Sequence, residues 1–75
     1  MTNKEILNLV CNNFEALTGT RVEYMRGDGN GSFLHFYTND NNGLGAYIAA
    51  YGYVEAANTL TAMMDGYRLA MTNHI

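Results

Sequence analysis

The chain has 75 residues, enough for one domain and no more. Its formal charge is −3, and only Lys4, Arg21, Arg26 and Arg68 are basic, which counts against phosphate binding, since that affinity comes from clustered Lys and Arg. A single cysteine, Cys11, excludes an internal disulfide, and no apolar run approaches the roughly 20 residues that span a bilayer.

The first predicted element is a helix over residues 3–18. Thr2 and Glu5 have the spacing of a capping box, with Asn3 as an alternative N-cap. Ile6, Leu7, Val10, Phe14 and Leu17 follow at three- and four-residue steps, Leu9 and Cys11 widen the stripe, and Gly19 is a natural left-handed terminator. Residues 20–26 alternate polar and apolar and predict a strand. Gly27-Asp28-Gly29-Asn30-Gly31 is a dense turn signal. A second strand is expected over 32–38, followed by a turn whose Asn42-Gly43 pair favours a hairpin. Residues 44–51 carry the β-formers Tyr47, Ile48 and Tyr51 but also several alanines. We read them as a third strand ended by Gly52, with an early start to the last helix as the alternative. In that helix Val54, Ala57, Leu60, Met64, Tyr67 and Met71 recur at helical spacing, and Gly66 weakens it by ~1 kcal/mol without ending it.

The result is a single α+β domain of order α-β-β-β-α: a three-stranded antiparallel meander with both helices on one face. Alternation gives two sheet faces. Val22, Tyr24, Leu34, Phe36, Ala46, Ile48 and Ala50 form an aliphatic set that should meet the helices. Glu23, Met25, Phe33, His35, Tyr37, Tyr47 and Tyr51 form the opposite, aromatic set. Monomers rarely expose large apolar patches without a use, and Tyr, Phe, Met and Arg are enriched in interface cores. The aromatic face is therefore the expected working surface. A domain this small buries only ~60% of the surface its unfolded chain exposes, so a partner chain is an expected source of extra stability. That partner is another protein or a second copy of this chain. The first residues lack the charged-then-apolar pattern of an export signal, and an unpaired cysteine suits a reducing compartment, so the expected location is the cytoplasm.

Asp28, Asn30 and Ser32 match the first donors of a calcium loop, but its glycine position is Phe33 and its bidentate glutamate position is Asn39. The glycines at 27, 29 and 31 precede a strand rather than the helix that a phosphate cradle requires. Cys11, His35 and His74 are scattered, so no metal or other cofactor is expected. His35 could serve an enzyme only with an orienting partner, for which Glu23 and Asp40 are the candidates; a structural or interface role is the stronger expectation. A nucleic-acid binder stacking bases on Phe33, Tyr37 and Tyr47 is the main alternative, and it lacks a basic groove.

The element order is similar to that of double-stranded-RNA-binding domains. Those domains open their last helix with a lysine-rich segment, whereas residues 52–57 here hold no Lys or Arg and include Glu55. The resemblance carries no RNA-binding residue over. In size, acidity and lack of proline the chain also resembles the accessory and inhibitor proteins of bacteriophages, anti-CRISPR inhibitors among them. That likeness implies a non-enzymatic protein that blocks a partner sterically. Glu23, Asp28 and Asp40 are the carboxylates that could cover a nucleic-acid-binding groove.

Overall fold

The structure, a computed structural model, describes residues 1–26, 31–37 and 45–72. Residues 27–30 and 38–44, where turns are expected from the sequence, lie outside the described residues with Asp28, Asp40 and the Asn42-Gly43 pair, as does His74. The element order is α1 (Asn3–Thr18), β1 (Arg21–Arg26), β2 (Ser32–Tyr37), β3 (Ala46–Ala49) and α2 (Tyr53–Thr72). The strands form one antiparallel sheet in the order β1-β2-β3.

Local chemistry sets the ends of these elements. The Thr2 side chain accepts from the Glu5 N–H at 3.2 Å, and the Glu5 carboxylate accepts from the Thr2 N–H at 3.0 Å. This capping box satisfies two donors that the first helical turn would otherwise leave unpaired, and its backbone bond holds the Glu5 carboxyl below the usual carboxylate range. At the other end Gly19 has φ 77°, and its N–H donates to the Glu15 carbonyl at 2.8 Å. Only a residue without a Cβ reaches that left-handed region cheaply, so the chain reverses there and β1 runs back along α1. Gly52, at φ 102°, makes the second sharp change of direction. Its N–H donates to the Tyr24 hydroxyl at 3.1 Å, and its carbonyl accepts from Ala56 at 3.1 Å as α2 begins. Glu55 also reaches back to accept from the Tyr51 N–H.

One core results. Leu7 and Phe14 of α1 and Ala56, Ala57, Leu60 and Met64 of α2 close over Val22, Leu34 and Phe36 of the sheet, with Ala50 beside them. All three sheet residues belong to the aliphatic set, so both helices cover that face. Phe14 and Phe36 meet edge to face at 5.6 Å, the favoured geometry for two quadrupoles.

Four expectations need correction. The third strand exists but is four residues long rather than eight, and it bonds only to β2. Ala46 and Ile48 lie on the aliphatic side as expected yet stay exposed, because the helices cover β1 and β2 and leave β3 beyond their reach. The α2 stripe is buried only at Ala57, Leu60 and Met64, joined by Ala56; Val54, Tyr67 and Met71 are exposed. In α1, Ile6 and Leu9 are also exposed, and Cys11 is half-buried.

Candidate interaction surface

Neither α1 nor α2 covers the opposite face of the sheet. The register places Arg21 across from Tyr37, Glu23 across from His35 and Met25 across from Phe33. On the other side of β2, Phe33 faces Ala49 and His35 faces Tyr47. Side chains on one face of an antiparallel pair approach closely enough to stack, and here they do. The His35 and Tyr47 rings are parallel, 4.5 Å apart with an interplanar angle of 7°. His35 also meets Tyr37 at 4.1 Å, and Phe33 meets Tyr47 edge-on at 5.3 Å. Phe33, Tyr47, His35 and Tyr37 thus form one continuous aromatic ladder across two strands.

A polar cluster closes one end of the ladder. The Tyr37 hydroxyl donates to Glu23 Oε2 at 2.8 Å, and Glu23 also pairs with Arg21. The Arg21 guanidinium lies 4.7 Å above the Tyr37 ring, a cation–π contact. The Tyr37 hydrogen bond, followed by the one from Arg21, holds the Glu23 carboxyl below its ordinary range. The same bond makes the Tyr37 phenol harder to ionise, since deprotonation would set two anions against each other.

Gly45 explains how the histidine is held. A Cβ at this position would collide with His35 Nε2 and with the Phe36 carbonyl oxygen. The bare backbone of Gly45 therefore lies directly against the imidazole, and Nε2 is buried without a hydrogen-bond partner among the described residues. The ring is flanked by Tyr37, Tyr47 and Gly45.

The structure brings Phe33, His35, Tyr37, Tyr47 and Glu23 together as expected. Met25 flanks the ladder opposite Phe33. Tyr51 lies just past β3, largely exposed, with its ring over Gly31, where a Cβ would approach Cε1 to 2.9 Å. Asp28 and Asp40 lie outside the described residues. Arg21 and Gly45 join the site without having been expected there. Arg21 was legible, because it stands two residues before Glu23 and so shares its face. Gly45 fell within the expected third strand with no contact assigned to it, and only the fold shows what it touches. Among the described residues no three His, Cys, Asp or Glu side chains are grouped, and no helix is long and apolar enough to cross a membrane. No protein family, curated protein or solved structure matches the chain.

Proposed function

We propose that this chain is a small protein-binding module whose contact surface is the open aromatic face of the sheet. The observation that carries this reading is the stacked ladder Phe33–Tyr47–His35–Tyr37 on the side away from both helices. Rings locked against one another lose little freedom when a partner covers them, and such pre-organised aromatics are typical binding anchors. Met25 and Tyr51 extend the apolar area, and the Arg21–Glu23–Tyr37 cluster supplies a polar rim. The module acts by covering its partner sterically, in the manner of the phage inhibitors it resembles in size and composition. Base stacking by the same rings has weaker support, because Arg21, a cation on this face, is already paired with Glu23.

The test compares affinity capture by the wild type and by a Phe33→Ala/Tyr47→Ala double variant in cells of the source organism. Light scattering of both proteins reports self-association. The reading expects a stoichiometric protein partner, or a homodimer, that the double variant loses while its circular dichroism stays native. Unchanged capture and oligomeric state would remove the aromatic face from consideration.

A further inference from the structure

A second surface lies at the other side of the sheet. The Ala50 N–H donates to the Ser32 carbonyl at 3.0 Å, which fixes the hydrogen-bonding parity of the ladder. Ser32, Leu34 and Phe36 then direct their backbone groups toward β3, and Phe33, His35 and Tyr37 direct theirs toward β1. The β1 partners are Met25, Glu23 and Arg21. The backbone N–H and C=O of Val22, Tyr24 and Arg26 consequently point outward, and no backbone among the described residues bonds to them. An unpaired strand edge is a template for one more strand.

This edge is not flat against solvent. A groove of about 680 Å³ runs beside it, walled by α1. The helix contributes Lys4, Asn8, Cys11 and Glu15 at steps of three and four, with Asn12 beside them, which is one helical face. Leu7, Val22, Tyr24 and Tyr53 give it an apolar floor. Charge is distributed unevenly along it. Because β1 runs back along α1, Lys4 and Arg26 fall toward one end, while Glu15 falls toward the other beside the already paired Arg21.

We propose that this groove accepts an extended peptide segment of a partner protein, added as a fourth strand antiparallel to β1. Antiparallel addition is the more stable ladder. It starts the peptide at the Lys4/Arg26 end and finishes it at the Glu15 end. The occupant is therefore acidic at its first residues, basic at its last, and apolar at alternate positions between them. The site meets the aromatic face only at the Arg21–Glu23 pair, and it stands whether or not that face binds anything.

The test uses two synthetic peptides of identical composition, acetyl-Asp-Thr-Val-Thr-Val-Thr-Lys-amide and acetyl-Lys-Thr-Val-Thr-Val-Thr-Asp-amide, whose charged ends and valines share one face of an extended strand, titrated into the isotopically labelled protein. The first should bind more tightly and shift the amide signals of Val22, Tyr24 and Arg26. Lys4→Glu or Arg26→Glu, both at exposed positions, should weaken the first peptide roughly three- to fivefold, the scale of an exposed ion pair. Of two versions N-methylated at alternate residues, one should lose binding and the other keep it. Equal affinity for both peptides, preference for the second, shifts outside β1 and α1, indifference to N-methylation, or no binding at millimolar peptide would each overturn the proposal.

Discussion

The hydrogen bond between Glu23 and Tyr37 keeps Glu23 ionised and the proton on Tyr37. The folded carboxyl sits below its ordinary value, so its contribution to stability is complete above the unfolded carboxylate pKa. That contribution is lost as pH falls through the folded value. The stability gap between wild type and Glu23→Gln should therefore close on acidification below about pH 4. The Tyr37 phenol is raised, so its contribution is complete below the ordinary phenol value, ~10, and disappears as pH climbs through the folded one. In a carbon-detected tyrosine titration Tyr37 should ionise later than a free phenol, and Glu23→Gln should bring it back. An unmoved Tyr37 would show that the bond does not persist in solution. Gly45 permits a sharper experiment. Gly45→Ala forces a Cβ into His35 and the Phe36 carbonyl, and overpacking of this kind costs about 1–3 kcal/mol. Urea unfolding should show that loss, and the aromatic ring signals of His35 and Tyr47 should shift together.

The elements differ in how firmly they are held. β2 is paired on both sides, whereas β3 is short, exposed throughout and bonded along one edge. The last two turns of α2, beyond Met64, bury nothing. Hydrogen exchange should find β2 amides the slowest, with β3 and residues 65–72 fast, because local opening is cheap where few apolar contacts are lost. Slow exchange across β3 in the isolated protein would mean that something already covers it. The same contrast marks how much the sequence could show. The caps at Thr2 and Gly19, the alternation in β1 and β2 and the split of the sheet into two faces are all local, and each was legible. The burial of β3 and of Val54, Tyr67 and Met71 was not. Periodicity identifies an amphipathic face but carries no information on where its partner stops. At 20 residues to the 16 of α1, α2 is about 6 Å longer at 1.5 Å per residue. The site divided in the same way: the ladder followed from strand parity, and the contact of Gly45 with His35 followed only from the fold.

At the scale of the whole molecule, a small core carries the stability. Leu60 is fully buried between helix and sheet; Leu60→Ala should cost about 2–5 kcal/mol, a large share of the roughly 5–15 kcal/mol typical of a folded domain. A near-native melting temperature for that variant would show that stability comes chiefly from association with another chain.

The lone thiol on the groove wall turns that surface into something that can be timed. Burial pushes Cys11 above its ordinary ionisation range, so little of it is reactive thiolate near neutrality. It has no sibling cysteine to compete for reagent. Modification by a small maleimide should be slow and single-exponential, and a strand lodged beside β1 should slow it further in proportion to occupancy. The chain thus carries a built-in clock for its own groove, readable by mass spectrometry without altering a residue.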